Sequence, residues 1–493
     1  MVANLLPPGF RVGVATAGFQ VEGGFNGPGE PANNWEVWEL TGRAEPSGAA
    51  VRFFEDPEPL LDRAAGLGCD SFRLSVEWAR VERRDGHVDA AALERYREIV
   101  DACLARGLEP LVTVHHFTHP AWLGAEHWLH PDAPARFRRY AERVVEALAP
   151  AVRLWVTVNE VNVLALQSWF FGAFPPGRVG AAADAATALG NLLHAHVLAY
   201  EAIHEARPDA VVTTNNAGVT VYELDQMLTD LLLARRAGVA RQRVSAWCEG
   251  RRAVHDRAVP PAGPVERGLR ALARRVVRPD TPALVRAVDA AYASPCECTL
   301  DVVGVDHYDP VASRHLQLPG RRTAGGRSGV VRPLWDEIPD PARFGRWLAG
   351  VARDAPGRPV WVVENGLCTR VRAGRSYARS DGWTRPAYLR THLAALVRAV
   401  GSGVPVEGYW HWSLVDNYEW GSYEPRFGVF GIDRHHGPGG FRWLETDAAG
   451  HDAPGAFRQL VAGLRAGDAS VLGSGGVDPL KASTACAETL GER

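Results

Sequence analysis

Lysine is almost missing from this chain. Of 54 basic residues in 493, only Lys481 is a lysine, and it lies in a Gly-, Ala- and Ser-rich stretch near the C-terminus. Chemistry that needs an imine-forming lysine, as in an aldolase-type barrel, is therefore close to excluded. Cysteine is sparse too. The seven are scattered, their number is odd, and no C-x-x-C pair occurs. The nearest pair, Cys296 and Cys298, has no His or further Cys beside it, so it makes a poor zinc site. The thiols read as small apolar side chains, and no metal or cofactor is expected. No run of about 18 apolar residues appears. The opening MVANLLPPGF lacks a basic n-region and a long apolar h-region. The expectation is a cytoplasmic protein with no membrane partner. A net charge of −3 and a pI near 6.6 give no electrostatic reason to expect nucleic acid.

What the chain does have is alternation. Short β-branched runs fall at 11–16, 71–76, 111–115, 154–159, 211–215, 302–306, 360–364 and 406–410. Amphipathic stretches lie between them. Residues 90–106 are one, with Leu93, Tyr96, Val100 and Leu104 at helical spacing and Gly107 as a stop. Eight strands alternating with helices predict an α/β fold, a single (β/α)8 TIM barrel with elaborated βα loops. The barrel should occupy residues 1–466. Residues 222–300, Arg-rich and helical in pattern with a Pro-rich break at 259–264, read as an elaborated crossover after the fifth strand. Residues 467–493 read as a disordered tail. There is no internal repeat.

Two of the runs end on a glutamate: 156–160 (VTVNE) and 360–366 (VWVVENG). A carboxylate at the end of a buried strand is costly unless it has a task, and barrel enzymes place catalytic groups at these C-terminal ends. Two glutamates facing one pocket are the minimal equipment for cleaving a glycosidic bond. Five further clusters fall at predicted strand ends: 18–23 (GFQVEG), 72–78 (FRLSVEW), 115–120 (HHFTHP), 305–308 (VDHY) and 410–420 (WHWSLVDNYEW). Singly, each suits a core or a helix cap. Together they combine indole rings with carboxylates and amides, and a pyranose offers an apolar face for stacking and hydroxyls for bidentate partners.

With these motifs the chain resembles glycoside hydrolase family 1, the β-glucosidase and β-galactosidase group, over roughly residues 7–466. The resemblance rests on Ala15–Gly23, Phe72–Arg80, Asn159-Glu160, Glu364–Gly366, Trp412–Trp420 and Arg426-Phe427-Gly428. It implies Glu364 as nucleophile and Glu160 as general acid/base. Arg73 would orient the nucleophile, Tyr308 would donate a hydrogen bond to it, and Asn159 would bind the sugar 2-hydroxyl. Gln20, His116, Glu419 and Trp420 would take the other hydroxyls, Trp412 would stack beneath the ring, and Phe427 would join the substrate site. The implied activity is hydrolysis of neutral β-D-glycosides, glucosides foremost, by double displacement and without cofactor. The partner is a small-molecule β-glycoside or oligosaccharide. A transglycosidase would use the same first step. A sugar-binding pseudoenzyme would keep the cleft without turnover.

The chain departs from the family pattern in places. Val161 replaces a proline, and Phe117 replaces a tryptophan after the sugar-binding histidine. Asp306-His307-Tyr308 stands where the family has Asn-Tyr-Tyr. Asp306 brings an extra carboxylate towards Glu364. It should raise that group's pKa or demand a cation unless it is itself paired, and His307 is the expected partner. The segment 418–427 (YEWGSYEPRF) carries Glu419 and Glu424 and no lysine, which argues against a 6-phosphosugar.

Overall fold

The computed structural model describes residues 5–261, 263–308, 333–434 and 440–473. Its centre is a ring of parallel strands: β1 (Arg11–Ala15), β2 (Ser71–Ser75), β3 (Glu109–His115), β4 (Leu154–Val158), β5 (Val211–Thr213, resumed as Asn215–Ala217), β6 (Val303–His307), β7 (Val360–Asn365) and β8 (Val406–Trp412). Arg11 pairs with Gly408, which closes β1 onto β8. Strand β5 pairs with β4 through Val211 and with β6 through Asn215, so Thr214 is the point where it changes partner. The expected strands are all found, and the (β/α)8 barrel stands.

Helices α1 (Glu58–Gly66), α2 (Ala90–Leu104), α3 (Ala133–Leu148) and α4 (Ala182–Ala206) cover the first half of the ring. Helix α2 begins where the Asp89 carboxylate accepts from Ala92 N–H at 3.0 Å. The crossover at 222–300 folds as α5 (Gln226–Leu233), α6 (Val244–Ala258), α7 (Pro264–Val276) and α8 (Pro282–Ala293). Some of its arginines are matched by acids: Arg251 with Asp230, Arg270 with Asp256 and Glu266, Arg241 with Asp289. Helices α9 (Pro341–Asp354), α10 (Arg385–Gly401) and α11 (Ala453–Ala466) complete the layer.

Residues 467–473, read from composition as part of a tail, are described and folded. After Gly467, in the left-handed region, Ala469–Leu472 makes a further turn, and Val471 packs so closely on Gly463 that a Cβ there would lie 2.3 Å from it. Residues 474–493 lie outside the described residues. Among the described residues no helix is long and apolar enough to cross a membrane. Cys69, Cys103, Cys248, Cys298 and Cys368 are free and buried, and Cys296 is free and half-buried; Cys486 lies outside the described residues.

The barrel has two apolar layers, as period-2 strands require. Val360 and Val362 face the helices, whereas Trp361 and Val363 join Leu111, Leu154, Val156 and Trp410 inside the ring. Trp410 fits because Gly13 and Gly408 leave notches for its indole. A Cβ would come within 2.4 Å of it at Gly13 and within 2.5 Å at Gly408. Its Nε1–H donates to Ser71 Oγ at 2.9 Å.

Strict alternation would send Glu364 outward. Instead, the register between β6 and β7 slips by one residue, so that Val362 pairs with Val305 but Glu364 with Asp306. This bulge turns Glu364 to the side that Asp306 occupies. Asn365 then faces the helices, donating to Tyr388 Oη on α10 at 2.7 Å.

Trp410→Ala should destabilise the protein by about 3–5 kcal/mol, because no neighbour can collapse into the space. A thermal midpoint equal to that of the unsubstituted protein would show that the barrel interior does not depend on this ring.

Candidate active site

The strand ends converge on one cavity of about 250 Å³, with Glu160 and Glu364 among its lining residues. Arg73, on β2, is wholly buried and makes three directed bonds. Its Nη1 donates to Glu364 Oε1 at 2.5 Å, its Nη2 to Asn159 Oδ1 at 2.6 Å, and its Nε to Thr113 Oγ1 at 3.0 Å. Tyr308 Oη donates to the other Glu364 oxygen at 2.7 Å. Both oxygens of this carboxylate are therefore held, one of them by a charge-assisted bond.

Glu160 caps the short helix Val161–Ala165 from the left-handed region, at φ 39°. Phe117 and Trp420, which line the same cavity, also have positive φ. Non-glycine residues hold this conformation only where their surroundings over-determine it. Burial, and then the negative charge of Glu364, hold the Glu160 carboxyl well above the usual carboxylate range.

Oxygens of Glu160, Glu364 and Asp306 lie within 4.8 Å of one another. That spacing suits a pair with roughly 5–5.5 Å between carboxyl groups, rather than the wider pair that leaves room for a water between acid and base. Among the described residues these three carboxyls are the group close enough to hold a cation. Arg73 already supplies a fixed positive charge there. Asp306, like Glu160, is pushed well above its ordinary pKa, by burial first and then by the charges of Glu364 and Glu160.

His307 is not the expected partner of Asp306. It points the other way along β6, into the helix layer, where it packs 4.6 Å from Phe344 and 5.2 Å from Trp347. Burial holds it well below its usual pKa, so it is a neutral ring. The partners of Asp306 are Asn215, whose Nδ2 donates to Asp306 Oδ2, and Glu160. Asn215 also donates to Asn159 Oδ1 at 2.9 Å. The sequence reading assigned Asn215 no role, although an amide at the end of a predicted barrel strand carries the same signal as Asn159.

The remaining expected residues assemble around the cavity. His116 Nε2 lies 3.3 Å from Asn159 Nδ2, and its ring stacks between Trp412 and Trp420, at 5.8 and 5.6 Å. Burial keeps His116 well below its ordinary pKa and hence neutral. Gln20 Nε2 donates to Glu419 Oε2 at 3.1 Å and to Asn417 Oδ1 at 3.0 Å. Asn417 was quoted within a motif but given no task; it orients Gln20. Phe427 packs edge-on to Tyr308 at 5.8 Å. Phe117, the ring that replaces the family's tryptophan, packs on Trp420 at 4.8 Å.

Because the Glu160 charge is among the causes that raise Asp306, Glu160→Gln should lower the pH at which Asp306 loses its proton. A 13C-carboxyl titration reads this directly, with the Asp306 signal assigned by its loss in Asp306→Asn. An unchanged midpoint would mean that the two carboxyls do not interact.

Comparisons agree with this geometry. Residues 2–439 match the family described as Glycosyl hydrolase family 1. A bifunctional beta-D-glucosidase/beta-D-fucosidase of Bifidobacterium breve is 28% identical, over 87% of this chain and 94% of its own length. A 6-phospho-beta-galactosidase of Streptococcus pneumoniae is 26% identical, also over 87% and 94%. Among solved structures, a family 1 β-glucosidase from Thermotoga maritima shares the fold with a TM-score of 0.69 at 23% identity, over 93% of this chain and 98% of that one. The chain belongs to glycosyl hydrolase family 1 and is a retaining β-glycosidase.

Proposed function

We propose that the protein hydrolyses neutral, non-phosphorylated β-D-glycosides, glucosides foremost, with Glu364 as nucleophile and Glu160 as general acid/base. In the first step a Glu364 oxygen bonds to the anomeric carbon as the bond to the leaving oxygen breaks, and Glu160 gives that oxygen its proton. The raised pKa of Glu160 supports this role, since an acid must hold its proton at working pH. Once Glu364 is glycosylated, its negative charge is gone, and Glu160 accepts a proton from the water that attacks the same carbon as the bond to Glu364 breaks and frees its carboxylate. Arg73 and Tyr308 position the nucleophile. Asn159, its oxygen taken by Arg73 and Asn215, has its Nδ2 beside His116 for the 2-hydroxyl.

The observation that carries the neutral reading is the state of the loop after β8. Ser422 and Arg426 are the side chains there best suited to a phosphate, and carboxylates occupy both. Ser422 Oγ donates to Glu45 Oε1 at 3.0 Å, and Arg426 pairs with Asp416 at 3.4 Å. Glu424 is engaged by Arg370 at 2.6 Å. A phosphate would approach Glu45 and Glu419 with like charge, whereas Glu419 suits neutral hydroxyls as a charged acceptor. Among the described residues, Arg434 is the cation of this loop left for a 6-phosphoglycoside, the kind of substrate in the streptococcal relative's name, and its guanidinium lies 3.1 Å from the centre of the Tyr423 ring.

For 4-nitrophenyl β-glucoside the expected kcat/KM is about 10²-fold higher than for its 6-phosphate, from a few kcal/mol of repulsion in a partly desolvated cleft. A preference for the phosphate would overturn this reading. Glu160→Ala should cripple cleavage of poor leaving groups and affect glycosylation by a dinitrophenyl glycoside far less, because that group departs without a proton. Equal losses on both would make Glu160 structural.

A further inference from the structure

The cavity continues outward from the sugar groups, and its outer part has a different chemistry. Three elements wall it. The segment after β4 contributes Val163, Leu166, Phe170 and Phe171, and the loop after β5 contributes Val219, Val221 and Leu224. Helix α7 closes the third side with Leu269, Leu272, Ala273 and Val276. These four recur at i, i+3, i+4 and i+7, one stripe of the helix. The stripe is held in place from behind: Arg270 bonds Asp256 on α6 and Glu266 on α7, both at 2.8 Å, and Thr220 Oγ1 donates to Glu266 at 3.2 Å. Leu272 remains 43% exposed, an uncovered leucine on a wall of the cavity.

Beyond the glycone groups, Gln167 and Glu337 are, among the described residues, the two lining residues with polar side chains. A second sugar here would bury several hydroxyls against methyl and phenyl groups, each at a cost unless paired. A hydrocarbon body would instead be released from water along three walls.

We infer that the aglycone subsite, completed by the α7 stripe, selects β-glycosides of apolar alcohols, with an extended or fused hydrocarbon leaving group, over β-linked oligosaccharides. The inference rests on the proposed β-glycosidase chemistry and concerns only the leaving group. Helix α7 belongs to the elaborated crossover at 222–300.

The test is a series of ethyl, butyl, hexyl and octyl β-glycosides below their micelle concentrations, with cellobiose as the sugar-aglycone comparison. The series is built on whichever glycone, neutral or 6-phosphorylated, the enzyme cleaves as its 4-nitrophenyl glycoside, with the disaccharide phosphorylated to match. Failure of the glycone reading is thereby separated from failure of this one. Leaving-group basicity hardly changes along the series, so the slope reports burial. We expect kcat/KM to rise about threefold per methylene over the first several carbons, and the octyl compound to exceed the disaccharide. Replacing Leu269 and Leu272 together by Asn should flatten the slope. A flat series with the unsubstituted enzyme, a disaccharide cleaved better than the octyl glycoside, or an unaltered slope in a folded double variant would each overturn the inference.

Discussion

The buried pair between Arg73 and Glu364 is the constraint on which the site depends. Neither charge reaches water to any useful extent, and a buried ion pair is tolerable only when its remaining donors and acceptors are filled. Here they are: Arg73 spends its other N–H groups on Thr113 and Asn159, and Glu364 takes Tyr308 on its second oxygen. One guanidinium therefore fixes a carboxylate and an amide at the same time, from three different strands. Glu160 and Asp306 must live with the charge this pair leaves, and burial together with Glu364 drives both towards their protonated forms. The proposed acid and nucleophile are thus set apart by environment rather than by residue type.

The barrel supplies the geometry that makes this possible. A ring packed by Trp361, Trp410 and branched aliphatic side chains is rigid, and its strand ends hold side chains more tightly than free loops would. Two local irregularities finish the placement. The slipped register at the end of β7 turns Glu364 inward, and the left-handed conformation of Glu160 aims the second carboxyl from β4. Close approach matters as well: at Gly366, just past Glu364, a Cβ would fall 1.9 Å from the Trp412 carbonyl oxygen. The motif's glycine is thus the residue that lets the strand ends of β7 and β8 meet.

Much of this was legible in the chain. Apolar runs ending on Glu160 and Glu364 marked strand ends, and the alternation of runs with amphipathic stretches marked the barrel. The polar clusters then identified Gln20, Arg73, His116, Tyr308, Trp412, Glu419 and Trp420 through their resemblance to a family. Other features were not legible, for physical reasons. A bulge leaves no mark in a β-branched run, so alternation alone would have sent Glu364 to the wrong face. Asp306 and His307 are neighbours in sequence, but adjacent strand residues face opposite sides, which is why the histidine could not serve as partner. Asn215 acts from the neighbouring strand, 91 positions from Asp306, and no local pattern reveals such a pairing. The crossover was readable as helices, yet which of them would wall the cavity depends on packing between elements far apart in the chain.

The central claim is that Glu364 forms a covalent bond to the sugar. A 2-deoxy-2-fluoro β-glycoside with a dinitrophenolate leaving group slows the second step more than the first, so the glycosyl-enzyme should accumulate. Mass spectrometry of the digested protein is then the direct measurement. The account predicts one fluorosugar per chain, on the peptide that contains Glu364, with release of a stoichiometric burst of dinitrophenolate. Label on another residue, or turnover without any covalent adduct, would contradict it.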